Sequence, residues 1–426
     1  MYIRGFDQQA IHVRWKRPSD IKLNWKYSIN FIKLFLDEQP DTFLYCPPVD
    51  VGRFPPPRRA RTKLSKRATL IWMIIAAFSM AGAARASDNP DSYDFSAVTS
   101  LIQGWVDHGY YPGAAIRVVK DGNVVYEKFF GGYTSSTVVS LVSSTKWLEA
   151  SCVMTLVDDG KIDLDAPLSK YLPQFSGDAG RATVRQCLSH TSGLNSIQIP
   201  ESDAQTISIA DRADELAAGE LKEKPGTLFR YGGNGLGVAG RVAEVVSGKP
   251  WELLFADKIA GPCEMHWTTT GMNLWYVRCH GGARWSASST LDDYSNFLEM
   301  ISNDGMFRGK RVLSANSIRE MQADQLRGTD RGSNDYFKLC GTHNGIYGFG
   351  EWREQVDPQG NATLLSSPGY YGYYPWLDKK HHAYGVFEGD GDNPVAGKAH
   401  FPAFFSSPQV ARLVASAFEA GSKASK

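Results

Sequence analysis

Ser143-Ser144-Thr145-Lys146 opens the stretch whose reading decides how this chain folds. Beyond it, Leu148, Cys152 and Leu156 recur on one helical stripe as far as Asp159, and Gly160 supplies a C-terminal stop. The S-x-x-K spacing sets a hydroxyl and an amine one turn apart on the same helix face, near enough for the amine to polarise or deprotonate the hydroxyl. At a helix start the serine also gains the positive end of the dipole and a free backbone N–H for a developing oxyanion. Serine and lysine are common, and about one or two chance matches are expected in a chain this long. Ser19-Asp20-Ile21-Lys22 is one of them, so the surroundings must choose.

Upstream, Phe95, Val98, Leu101, Ile102 and Trp105 recur at helical spacing within Tyr93 to His108. Two β-rich runs follow, Ala114 to Val119 and Val124 to Phe130, joined by the hairpin chemistry of Lys120-Asp121-Gly122-Asn123. Downstream, the pattern to about residue 340 is mainly helical. The last part alternates aromatic and small residues in Ile346 to Trp352, Thr363 to Leu365, Tyr370 to Leu377 and Ala383 to Phe387, and closes on a helix over Gln409 to Ala420. Strands at both ends with helices between them predict an α/β (α+β) fold. Its antiparallel sheet comes from about 91–144 and 345–426, is flanked by N- and C-terminal helices, and is interrupted by a mostly helical region at about 145–344.

Charge divides the chain where the domains are expected to divide. Residues 1–86 carry 15 Lys/Arg against 6 Asp/Glu, whereas residues 87–426 carry 31 against 39, a basic leader before an acidic body that is no nucleic-acid binder by charge. The leader holds a basic cluster (Arg58, Arg59, Arg61, Lys63, Lys66, Arg67), an apolar run from Ala68 and the small-residue site Ala84-Arg85-Ala86. This is the pattern of an export signal whose removal would leave Ser87 first in a periplasmic or secreted hydrolase domain, residues 87–426, with no stable membrane insertion. The alternative is an inner-membrane anchor through 68–84, near the lower length limit for a span. Residues 1–57 fit neither, and a start assigned too far upstream is the preferred explanation. Of six cysteines, Cys263 and Cys279 have the spacing that closes most easily, with unpaired buried thiols as the equal alternative.

Common enzyme signatures are missing. The chain has no G-x-S-x-G elbow, no H-E-x-x-H and no phosphate-binding glycine loop, and its nine histidines are scattered. The copy of S-x-x-K at Ser143 is instead followed by Asp159-Gly160-Lys161-Ile162-Asp163-Leu164-Asp165-Ala166-Pro167-Leu168-Ser169-Lys170-Tyr171-Leu172-Pro173, and then by Val184-Arg185-Gln186-Cys187-Leu188-Ser189-His190-Thr191-Ser192-Gly193-Leu194. From about Phe95 to the C-terminus this ordered series resembles the serine β-lactamase and penicillin-binding-protein family. The likeness is to its class C-like branch, which also contains esterases and peptidases.

The resemblance implies Ser143 as nucleophile and Lys146 as its proton partner. Pro225-Gly226-Thr227-Leu228-Phe229-Arg230-Tyr231-Gly232-Gly233-Asn234-Gly235 looks like the family's Y-x-N region, which makes Tyr231 the third catalytic residue. A phenol is a poor base at neutral pH without a cation beside it, which Lys146 would supply. Gly233 stands where the family usually has Asn and Asn234 comes one place late; both are candidates for substrate binding. The third element, usually K-T-G or H-x-G, is best matched by Ser367-Pro368-Gly369. There Gly369 would permit close approach, the Tyr370 N–H would join that of Ser143 in an oxyanion hole, and Ser367 would meet the substrate. Lysine is missing, so a substrate carboxylate would find only a neutral hydroxyl. Tyr370, Tyr371, Tyr373, Tyr374 and Trp376 are either an aromatic wall for the substrate or plain packing.

These residues describe acyl transfer to a small-molecule ester or amide substrate, without metal or organic cofactor. An esterase acting on neutral substrates is favoured. The alternatives are a β-lactamase or D-alanyl-D-alanine peptidase, and a binding or sensor module on the same scaffold. Activity should rise from neutral to mildly alkaline pH as the Lys146/Tyr231 pair loses a proton.

Overall fold

Asp121 and Gly122 both take positive φ, 50° and 79°, the backbone a two-residue hairpin turn requires. The computed structural model describes residues 3–4, 12–13, 93–197, 208–269, 287–326, 328–332, 346–391 and 403–424. The expected export segment, the anchor 68–84 and Cys46, Cys279 and Cys340 lie outside them. The chain divides into two units, Met1–Ala86 and Ser87–Lys426. In the first, Ile3–Arg4 pairs antiparallel with His12–Val13.

The second unit begins with helix α1 (Ser96–Asp107), whose first turn is held by the Asp94 carboxylate accepting the Ser96 N–H at 2.8 Å. Its Val98, Ile102 and Trp105 are buried, each burial stabilising by about 1.5–3 kcal/mol. Strands β1 (Gly113–Lys120) and β2 (Asn123–Gly131) form the hairpin. Helix α2 (Thr145–Asp158) carries the S-x-x-K lysine. The inserted region contributes α3 (Val184–Leu188), α4 (Asn234–Ser247), α5 (Leu291–Ser302) and α6 (Ala315–Gln322), together with a helix over Ile209–Ala218 and several short turns. Strands β3 (Ile346–Tyr347), β4 (Trp352–Val356), β5 (Ala362–Ser366), β6 (Tyr374–Asp378) and β7 (Ala383–Gly389) then complete the sheet, and α7 (Pro408–Ala424) closes the chain.

The seven strands run in the order β2-β1-β7-β6-β5-β4-β3, all antiparallel. The expected architecture is therefore the observed one. The seam between the two ends of the chain is β1 against β7, from Lys120 opposite Ala383 to Ala114 opposite Gly389. Alternation along these strands feeds two cores. Ala114, Ile116, Val118, Phe387 and Trp376 pack with Ile102, Val414 and Phe418 under α1 and α7. Ala115, Tyr384 and Val386 pack with the inserted helices.

Two local expectations change. Residues 370–372 are not strand: the Gly369 N–H donates to the Tyr373 carbonyl and the Gly372 N–H to the Gly369 carbonyl, closing a turn that needs Gly372 at φ 109°. And α2 is not one-sided. Every residue from Thr145 to Leu156 is buried, Lys146 and Glu149 included, because sheet and inserted helices enclose it. A helix buried all round is a core helix, and its polar side chains are there for a reason other than solubility.

Candidate active site

The nucleophile candidate lies just ahead of α2, in a single 3-10 turn (Val142–Ser144). Val142 holds φ 47°, a left-handed conformation that a β-branched residue rarely adopts and that costs about 1–3 kcal/mol. Several contacts hold the turn in place. The Leu141 N–H donates to the Ala287 carbonyl, the Tyr294 hydroxyl donates to the Ser144 carbonyl at 2.8 Å, and the Ser144 hydroxyl donates to the Ser367 carbonyl at 2.5 Å. Ser143 ends up buried, 6% exposed.

Lys146 reaches it as the spacing predicts: its Nζ donates to the Ser143 Oγ at 3.2 Å. The same ammonium group stands 4.8 Å from the centroid of the Tyr231 ring, so the three expected catalytic residues are brought together. The ring of Tyr231 stacks on Trp352 at 5.2 Å and lies 4.6 Å from the ring of His190. Phe229, Tyr347, Trp352 and Leu326 form a small apolar cluster under it.

His190 has no role assigned by the sequence, yet it belongs to this group. The capping box of α3, in which Thr183 and Gln186 satisfy each other's backbone N–H groups, fixes the helix that delivers it. Burial, followed by the charge of Lys146, holds its imidazole well below the usual range, so the ring is neutral. With the Asn195 amide 3.5 Å from Nδ1, the ring proton belongs on Nε2, which donates to the Tyr347 hydroxyl at 3.2 Å. The ordered motif Leu188-Ser189-His190-Thr191 is the signal that points to it; the absence of a carboxylate partner hides it.

Gly369 makes the close approach expected of it, since a Cβ there would sit 2.5 Å from the Leu141 carbonyl oxygen. Its neighbour Tyr370 is 60% exposed, and the Tyr370 N–H bonds to no described residue. Gly350 is needed twice over, by its φ of 78° and by the Lys146 carbonyl oxygen, which a Cβ at this position would meet at 2.3 Å.

Two expectations are corrected. Ser367 does not face a substrate: buried, it donates its hydroxyl to the Gly350 carbonyl at 2.8 Å and lies 3.4 Å from the Ser143 carbonyl, pinning the nucleophile turn to the sheet. Asn234 spends its amide on the carbonyls of Leu194 (3.0 Å) and Ile197 (3.1 Å), so it tethers a loop while Gly233 caps α4. Asn195 instead stands beside the glycines, accepting from the Gly235 N–H at 3.3 Å. Of the two alternatives for the aromatic run, packing is the one seen for Tyr373, Tyr374 and Trp376, all buried and the last two within β6, whereas Tyr370 and Tyr371 reach solvent.

Two carboxyls lie behind this group. Glu149, one turn on from Lys146, and Glu351, next to Gly350, are fully enclosed, and neither has a hydrogen-bond partner among the described residues. Burial pushes each up to about 8, against the pull of Lys146 on Glu149 and of Lys379 and Arg353 on Glu351. The described thiols, Cys152, Cys187 and Cys263, are free and buried. No helix among the described residues is long and apolar enough to cross a membrane.

Comparison with known proteins agrees with this geometry. Residues 98–396 match the Beta-lactamase family profile. A Bacteroides dorei DSM 17855 protein, solved as a "putative beta-lactamase", is 36% identical and superposes with a TM-score of 0.70 over 77% of this chain and 99% of its own. A family VIII carboxylesterase, 20% identical, shares the fold with a TM-score of 0.58 over 76% of this chain and 97% of its own. "Protein flp" of Staphylococcus aureus (strain MW2) is 27% identical over 187 residues, which span 40% of this chain and 37% of that relative.

Proposed function

The chain belongs to the β-lactamase family and is a serine hydrolase, and from that premise we propose that it is an exported esterase acting on small neutral substrates through an acyl-enzyme. The observation that carries the reading is the 3.2 Å contact between Lys146 Nζ and Ser143 Oγ beneath the ring of Tyr231. Ser143 Oγ attacks the ester carbonyl carbon, and its proton passes to Lys146 and Tyr231. The developing oxyanion is met by the N–H groups of Ser143 and Tyr370. The carbon–oxygen bond to the alcohol then breaks, the leaving oxygen takes the proton, and the alcohol departs. Water attacks the acyl carbon, returns a proton through the same pair and releases the carboxylic acid, leaving Ser143 free.

Preference for a neutral ester rests on the third element. Where the family carries a cation for a substrate carboxylate, Ser367 is committed to backbone carbonyls, so this position offers an anion nothing.

A second reading, hydrolysis of β-lactams, is favoured by the 36% identity to the Bacteroides dorei protein solved as a "putative beta-lactamase". Parallel turnover of a short p-nitrophenyl ester and a chromogenic cephalosporin by the full chain and its Ser143→Ala variant separates the two. Ester turnover that is lost in the variant, with little cephalosporin hydrolysis, is expected; rapid cephalosporin turnover would overturn the esterase assignment.

A further inference from the structure

Acyl transfer through Ser143, Lys146 and Tyr231 leaves Glu149 unused, yet it is an expensive residue to keep. It sits in the first turns of α2, i+3 from Lys146, at 2% exposure, and neither carboxyl oxygen has a partner among the described residues. Threonine, alanine or leucine would fill the position without a buried carboxyl to desolvate. Helical spacing instead stacks its carboxyl on the face that carries the Lys146 amine.

Few other charges reach it. On its own helix the groups that feel it are Lys146 and Cys152, and from the sheet Tyr347, whose hydroxyl accepts from His190. On the other elements packed against α2 the charged groups are paired or exposed: Arg241 of α4 is paired with Glu244, Lys258 with Asp159 and Glu320 of α6 with Arg185, while Arg319 of α6 is exposed. Glu351 flanks the same helix through Gly350 but is itself buried without a partner among the described residues. Glu252, on the short helix after α4, is exposed.

We infer that Glu149 is a positioning residue that gates the Ser143–Lys146 pair by its own protonation, an inference resting on Ser143 as the nucleophile. Protonated, it leaves the Lys146 amine without a counter-ion and able to accept the Ser143 proton. Ionised, it forms a buried pair with the ammonium, and the amine no longer turns toward the serine as a base. Because burial pushes this carboxyl up to about 8, the change falls just above neutral pH. Activity therefore falls on the alkaline side of that change.

The test is the pH dependence of kcat/KM for a short p-nitrophenyl ester, and of the rate at which a fluorophosphonate labels Ser143, in the full chain and in Glu149→Gln and Glu149→Asp. The unaltered chain should lose about tenfold by one pH unit above the midpoint of its alkaline limb. Glu149→Gln should lose less than about twofold over the same interval, because its amide cannot ionise, and Glu149→Asp should keep an alkaline limb. An identical limb in the Gln variant overturns the inference. Should that variant not fold, labelling of the unaltered chain still decides, since a profile without any fall between pH 7 and 10 sinks the gate. Failure of the functional reading looks different: Ser143 would then not be labelled at any pH.

Discussion

Replacing Glu351 by glutamine should make the stability of this protein less sensitive to alkali. The carboxyl is buried at the turn that packs on α2, both oxygens lack partners among the described residues, and burial pushes it from 4.5 to about 8. A group whose folded pKa is raised contributes stability that is complete below its unfolded value and is lost as pH climbs to the folded one. Stability should therefore fall between pH 4.5 and about 8. At about 1.36 kcal/mol per pH unit, the loss between pH 5 and pH 9 is on the order of 4 kcal/mol. Glutamine has nearly the same shape and no proton to lose, so the variant should match the unaltered chain within about 1 kcal/mol at pH 5 and exceed it by several at pH 9. Urea denaturation followed by tryptophan fluorescence at pH 5, 7 and 9 reads the difference. Two chains that lose stability in parallel would refute the argument, because the difference isolates this one carboxyl from every other group that titrates.

Two further substitutions test the site's framework. Ser367→Ala should cost about 1–3 kcal/mol by leaving the Gly350 carbonyl unsatisfied, seen as a lower Tm; a raised KM at unchanged Tm would return Ser367 to the substrate. In Gly369→Ala the new Cβ would meet the Leu141 carbonyl oxygen at 2.5 Å, so kcat for an ester should drop about 10²-fold as the oxyanion hole is displaced. Full turnover in that variant would mean the hole is built elsewhere.

How far the sequence reaches depends on whether the information is local. The hairpin is legible because Asp121 and Gly122 encode their own turn, and the sheet because alternation at both ends of the chain is a period-two signal. Ser143 and Lys146 can be paired because both sit within one helical turn. The burial of α2 on all sides cannot be seen, since it depends on what α4, α6 and the sheet bring to it. His190 is hidden for the same reason: its partners Tyr347 and Asn195 come from separate elements. Ser367 and Asn234 look like substrate ligands because their motif positions suggest it, but their bonds go to backbone carbonyls that only folding brings near. Aromatic alternation through Tyr373, Tyr374 and Trp376 reads the same whether it lines a cleft or fills a core, and here it fills one.

Acyl transfer in this protein depends on the covalent chemistry of one hydroxyl. The full chain, mixed with a slowly deacylating ester and quenched in acid, should gain the mass of a single acyl group on the peptide that carries Ser143. Ser143→Ala should gain none, with its fold intact by circular dichroism. An adduct of equal yield in the alanine variant, or one on any other residue, would contradict the assignment of Ser143 and the mechanism drawn from it.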